Sequence, residues 1–340
     1  MNRYIYILTI FIFTTYCNIY AQDLHFSQYF NAPLLVNPAN TGFMPDHDYR
    51  LGINYRDQWA NIGNAYKTMS AWGDVQLFNS RFENGWVGLG GTLLKDDAGG
   101  GTLTATRLFV STAYHQVIND NGLLSVGVGI GGVNKRVDPS KLTFDNQWNG
   151  KFFDITVPNN EPFNYTSVYY LDLQLGVNYA AFLTDNLYVN AGASIQHLNQ
   201  PSESFFASNA ITSGRLAPRY TFFVNAHIKY GNLAIVNPNV YYSKMGTVTE
   251  TVLGANVNYN LSGEGGANQL ILGLYYRAGD AIIPMIGYQV NDLKITFNYD
   301  ATTSALGVYN GTQGAYEVSV MKNGIFGADK SIKCPKMVRF

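Results

Sequence analysis

Several stretches of this sequence carry residue types that do chemistry elsewhere, and each needs a particular frame to do it. Gly127-Val128-Gly129-Ile130-Gly131-Gly132 satisfies a G-x-G-x-x-G search. Such glycines hold a pyrophosphate only between the end of a strand and the start of a helix. Here they lie inside an alternating run, with Leu124, Val126, Val128 and Ile130 on one face and Ser125, Gly127, Gly129 and Gly131 on the other. The expected role is therefore a small-residue inner face that leaves room for a neighbouring loop or plug. Lys95-Asp96-Asp97-Ala98-Gly99-Gly100-Gly101 lacks the spaced oxygen ligands and closing Glu of a calcium loop and reads as a solvated hairpin tip. His25, His47, His115, His197 and His227 show no close ligand spacing, so no metal site is expected.

Nucleophilic catalysis finds no frame either. There is no G-x-S-x-G elbow, and Cys334 has no evident base near it in sequence. Asp172, Glu250, Asp300 and Glu317 fall on wet faces of alternating runs. A charge network with Arg56, Arg107, Lys229 and Lys294 accounts for them without catalysis. A two-carboxylate hydrolase inside the same frame would need a paired acid and base. The expectation is a protein with no enzymatic activity and no cofactor.

The frame itself is a set of strands. From Tyr169 to Tyr179, Leu171, Leu173, Leu175 and Val177 point one way, and Asp172, Gln174, Gly176 and Asn178 the other. Successive strand side chains face opposite sides of a sheet, so one face is apolar and one is wet. The same split recurs at Leu51–Tyr55, Leu187–Ile195, Phe222–Tyr230 and Leu293–Tyr299. Turn signals such as Glu83-Asn84-Gly85, Asn119-Asp120-Asn121-Gly122, Thr184-Asp185-Asn186 and Gly231-Asn232 separate the runs. They give about fourteen strands, with starts near 48, 65, 85, 102, 122, 167, 186, 219, 232, 247, 268, 281, 293 and 314.

Composition selects the setting. Only 13% of the 340 residues are charged, 14% are aromatic and 34 are Gly, while no apolar run is long enough for a spanning helix. An even number of tilted strands with one face in lipid and one in water is the pattern of an outer-membrane β-barrel. A soluble sandwich shows similar alternation, but its strands are commonly shorter than these runs. A net charge of -1 gives no reason to expect nucleic acid as a partner. At the N-terminus, Asn2 and Arg3 precede an apolar stretch to Phe13 and a small-residue site at Ala21, which reads as a cleaved signal peptide over residues 1–21. Cleavage would discard Cys17 and leave Cys334 alone, so no intramolecular disulfide is expected.

The expected domain plan follows: signal peptide 1–21, an N-terminal plug or periplasmic segment 22–47, a barrel 48–325 and a periplasmic tail 326–340. Two stretches outside the alternation, Lys135 to Thr166 and Asn199 to Pro218, are long enough to be working extracellular loops.

Several blocks also carry a resemblance. Gln28-Tyr29-Phe30-Asn31-Ala32-Pro33-Leu34-Leu35-Val36-Asn37-Pro38-Ala39-Asn40-Thr41-Gly42 resembles the opening of the PorP/SprF family, and Tyr55-Arg56-Asp57-Gln58-Trp59 continues it. Gly273-Leu274-Tyr275-Tyr276-Arg277, Asp280-Ala281-Ile282-Ile283-Pro284-Met285-Ile286-Gly287-Tyr288 and Gly314-Ala315-Tyr316-Glu317-Val318-Ser319 are similar to its later blocks, and the Cys334-Pro335-Lys336 ending also fits. Met337-Val338-Arg339-Phe340 extends past where many members stop.

The resemblance implies an outer-membrane part of the Bacteroidetes type IX secretion and gliding machinery. Its expected partners are a secreted adhesin with a C-terminal sorting domain, periplasmic ring or peptidoglycan-binding components, and outer-membrane lipid or lipopolysaccharide. The residues singled out for partner binding or lumen packing are Asn37, Pro38, Arg56, Gln58, Trp59 and Asp280. The competing reading is a diffusion porin or substrate-specific channel.

Overall fold

The computed structural model describes residues 26–326 apart from 45, 61–64, 83, 120, 155, 159–160, 162–164, 206–213 and 264–265. The expected signal peptide, both cysteines and the tail beyond Phe326 lie outside the described residues.

Fourteen antiparallel strands close into one barrel: β1 (Tyr49–Gln58), β2 (Tyr66–Phe82), β3 (Gly85–Ala98), β4 (Leu103–Asn119), β5 (Gly122–Val137), β6 (Ser167–Thr184), β7 (Leu187–Gln196), β8 (Arg219–Tyr230), β9 (Ala234–Met245), β10 (Val248–Asn260), β11 (Asn268–Arg277), β12 (Ala281–Val290), β13 (Leu293–Thr302) and β14 (Gln313–Gly324). Each strand pairs with its sequence neighbours, and β1 closes on β14 from Tyr49↔Gly324 to Gln58↔Ala315. Closure leaves no free sheet edge, which lets a β structure cross lipid with its backbone hydrogen bonds satisfied. Among the described residues, no helix is long and apolar enough to cross a membrane.

The alternation sorts side chains as expected. Leu171, Leu173, Leu175 and Val177 are exposed on the outer wall, while Asp172, Gln174 and Asn178 are buried inside. Outward-facing tyrosines mark both edges of the apolar belt: Tyr114, Tyr179, Tyr230, Tyr259 and Tyr288 at one end, and Tyr169, Tyr220 and Tyr276 at the other. Such girdles sit at the two lipid–water interfaces.

The two ends differ. At one, short turns such as Asp185-Asn186 and Asn291-Asp292 join the strands, and β1 begins and β14 ends there. At the other, the connections 138–166 and 197–218 are long. Short turns belong to the periplasmic rim and long loops to the cell surface. β6 rises past the end of β7, and the loop after β7 packs on this overhang: Leu198 N–H donates to Leu173 O (3.0 Å) and Asn199 Nδ2 to Leu171 O (2.7 Å). Tyr165 N–H donates to Phe205 O at 3.0 Å, tying the two long loops together.

One part of the wall departs from the expected polar inner face. From β8 to β12, Phe223, Tyr241, Val252, Ile271, Tyr275, Ile283 and Met285 point inward and form an apolar cluster with Tyr29 and Val36. The reason is occupancy: a lumen filled by an apolar segment needs an apolar wall opposite it.

Candidate functional site

Residues 26–44 run through the lumen from its cell-surface half to the periplasmic rim, and nearly all of them are buried. Short turns let the chain fold there without a ladder partner. Pro33 opens a four-residue helical turn, Pro33–Val36. Asn37 is extended (φ -155°, ψ 122°), as a residue before proline prefers, and its side chain accepts from Ala39 N–H at 2.8 Å to cap the next turn. Its amide nitrogen donates to Val177 O (2.9 Å) and Ala193 O (3.2 Å) on β6 and β7. Pro38 lies against β5, where a β-carbon on Gly127 would stand 2.5 Å from the Pro38 carbonyl. One on Gly176 would stand 1.8 Å from Asn37 Oδ1. Within the glycine run that imitates a nucleotide motif, Gly127 is therefore part of the bed of a plug, while Gly129 and Gly131 make room for the Gln174 and Phe109 side chains of neighbouring strands.

A second group of contacts holds Thr41 and Gly42. Gly42 N–H donates to Asp74 Oδ2 (2.7 Å), Trp86 Nε1 donates to Gly42 O (2.8 Å), Thr41 Oγ1 meets Ser111 Oγ (2.7 Å) and His115 Nε2 meets Thr41 O (2.7 Å). His115 also bonds Ser125 and stacks on Trp86 at 4.9 Å. Arg50 grips Asp74 with two nitrogens (2.6 and 3.1 Å) and reaches Asn40 O at 2.9 Å.

The start of the plug docks on a buried charge cluster near the cell-surface end. Ser27 and Gln28 N–H groups donate to the two oxygens of Glu317 (2.8 and 2.9 Å). Ser27 Oγ donates to Asp300 (2.7 Å) and accepts from Arg56 (2.6 Å) and Arg277 (2.5 Å). Arg56 pairs with Asp300 (2.9 Å) and Glu317 (3.3 Å); Arg277 pairs with Asp300 and Asp280 (both 3.0 Å) and Glu250 (3.1 Å). Buried charges persist in such a setting only when paired and hydrogen-bonded, and removing one partner costs about 3–5 kcal/mol.

The residues singled out from the sequence thus fall in three places. Asn37 and Pro38 sit at mid-lumen. Arg56 is a hub of the charge cluster, Gln58 touches it at 3.4 Å, and half-exposed Asp280 joins through Arg277. Trp59 lies at the rim, with a left-handed backbone (φ 56°), edge-on to Tyr66 at 5.4 Å. Lys229 and Lys294, expected in the same network, stand instead near the periplasmic ends of β8 and β13, and Asp172 meets buried His197 at 2.8 Å. Sequence reasoning missed Arg277, Asp74, Trp86 and His115. A charged or large residue at an inward position of an alternating run was the available signal for each.

Among the described residues, two spaces border the plug inside the lumen. One of about 350 Å³ opens toward the periplasmic rim, lined by amides including Asn190, Asn237 and Asn256 and by His47 and Lys294. One of about 40 Å³ lies above, and Tyr29 and Val36 border both. Tyr29 stacks on Tyr241 (4.7 Å) and Phe30 on Tyr275 (5.3 Å), so the partition between them is aromatic. Among the described residues, no group of three His, Cys, Asp or Glu could hold a metal ion.

Solved structures share this architecture. The toluene transporter TodX of Pseudomonas putida superposes with a TM-score of 0.50 at 12% identity, over 86% of this chain and 92% of that one. A deletion mutant of TodX, described as a monoaromatic hydrocarbon channel, gives 0.53 at 11% over 86% and 94%. At such identities the likeness is one of fold alone. No curated protein matches the sequence. The family model for the type IX secretion system membrane protein PorP/SprF matches residues 18–321, which take in the plug, β1 to β13 and most of β14, and the chain belongs to that family.

Proposed function

We propose that this chain is a non-enzymatic outer-membrane component of the type IX secretion and gliding machinery that anchors, or helps to export, a large cell-surface adhesin carrying a C-terminal sorting domain. The observation that carries the reading is the occupied lumen. A barrel whose interior is filled by its own chain, held by buried ion pairs and close backbone contact, is built as a scaffold more than as a diffusion pore. What remains free to act is the cell-surface end. There Trp148, Phe152, Phe153 and Tyr165 stand exposed on the 138–166 loop, and large apolar side chains exposed together favour a partner surface. On the opposite side, the amide-lined space of about 350 Å³ gives periplasmic ring or peptidoglycan-binding components a place to reach the plug.

The test replaces residues 139–165 with a short turn and measures adhesin on intact cells by surface labelling. Loss of surface adhesin from cells that still contain folded barrel is expected; normal display would overturn the reading. Purified wild-type protein in a planar bilayer separates the porin alternative. It should show no steady open channel, and a stable conductance would favour the porin.

A further inference from the structure

The tyrosine girdle at the cell-surface edge has a gap, and the gap is basic. Following the strand register from β1 to β6, one level of outward-facing residues reads Tyr55, Met69, Lys95, Thr106, Asn134 and Tyr169. The next level outward reads Asp57, Lys67, Asp97, Thr104, Arg136 and Ser167. The tyrosines on β1 and β6 thus bracket four strands that present Lys67, Lys95 and Arg136 in place of aromatic rings. Just below, the outer wall is apolar through Leu93, Leu108 and Ile130. A cation on the lipid-facing wall is costly at the bilayer midplane but nearly free at the interface, so this ledge marks the headgroup level.

The ledge has depth. Lys67, Lys95 and Lys141 line a surface recess of about 550 Å³ with Asp97, Thr104 and the Gly100-Gly101 turn. Lys141 leans in from the 138–166 loop, its Nζ 3.4 Å from where a β-carbon on Gly101 would stand. The nearby carboxylates are already engaged. Asp97 meets Lys95 at 3.1 Å and accepts from Thr104 Oγ1 at 3.0 Å. Buried Asp57 accepts from Tyr55 and Tyr316 hydroxyls and stands 3.9 Å from Lys67. Asp138 is taken by Ser140. Lys67 and Lys95 remain half-exposed.

We propose that this ledge on β2–β5 docks the phosphate groups of lipopolysaccharide in the outer leaflet. Its position selects a lipid phosphate over a free one: the cations stand directly over a wall that acyl chains must cover, so a single molecule can satisfy both. Docking there would place a phosphorylated glycolipid beneath the 138–166 loop that supplies Lys141.

The full chain in detergent micelles can be titrated with bisphosphorylated lipid A and with the same lipid A stripped of its phosphates, with bound lipid counted by native mass spectrometry. The phosphorylated form should bind preferentially. The combined Lys67→Ala, Lys95→Ala and Arg136→Ala variant should weaken that binding on the order of a hundredfold, given roughly a fivefold loss for each cation at a membrane surface. Arginine at positions 67 and 95 should retain it, and removing Lys244 and Lys322 elsewhere on the wall should change nothing. Lys141→Ala, on a loop outside the barrel, should weaken binding severalfold and tests the site even if the combined variant fails to fold. Equal binding of the two lipid forms, equal loss in the Lys244 and Lys322 control, or displacement by inorganic phosphate would overturn the proposal.

Discussion

Gly88→Ala should unseat the plug while leaving the barrel closed. Gly88 faces inward on β3, and a β-carbon there would stand 1.9 Å from Thr41 O, 2.6 Å from Thr41 C and 2.8 Å from Gly42 Cα. All three atoms are backbone, so no side-chain rotation relieves the overlap. Restoring ordinary contact requires the plug to retreat by about 1.5 Å. Thr41 and Gly42 make four short hydrogen bonds to the wall, at 2.7–2.8 Å, through Asp74, Trp86, Ser111 and His115. A retreat of that size takes them out of range. Three bonds between neutral groups at about 1 kcal/mol each and one to a carboxylate at about 2 give a loss of about 5 kcal/mol. The strand ladder shares none of these contacts, so the folded barrel should still migrate as a compact band on unheated gels. Planar-bilayer recording should then show steady conductance where none is expected of the wild type, and protease should cut within residues 26–44. Gly132→Ala, whose β-carbon meets nothing within 4 Å, should behave as wild type. A silent, protease-resistant Gly88→Ala barrel would refute the reasoning that backbone proximity holds the plug.

Asn37→Ala removes two donations to strand carbonyls and one cap, a loss of about 2–3 kcal/mol that should appear as faster proteolysis of the plug with unchanged barrel melting. Arg277→Ala leaves Asp300, Glu250 and Asp280 without a shared cation and should cost about 3–5 kcal/mol, read as a lower temperature for loss of the compact gel band. Tyr29→Ala removes the ring between the two lumenal spaces and should give small, flickering conductance, weaker than that of Gly88→Ala; a fully silent channel would mean that Val36 and Phe30 suffice as the partition.

The sequence by itself determined the wall. Period-two alternation is a property of neighbouring residues, and a strand imposes it wherever one face meets lipid, so all fourteen strands were legible with starts within two residues of those observed. The Asn-Gly and Asp-Asn turns were legible for the same local reason. The glycine run on β5 could be read as a small face making room, because its alternation excluded the nucleotide frame. Tertiary structure alone decided what fills that room and what holds it. Ser27 reaches Glu317 across 290 positions and Asp300 across 273, and Asn37 reaches Val177 across 140. No local pattern encodes such separations. The apolar inner wall from β8 to β12 was hidden likewise: an inward Phe223 or Tyr241 interrupts the polar pattern, and only the ring of Tyr29 lying against it supplies the reason. Closure of the sheet sets those distances, because it fixes every inward side chain around one shared volume that a single segment of the chain occupies.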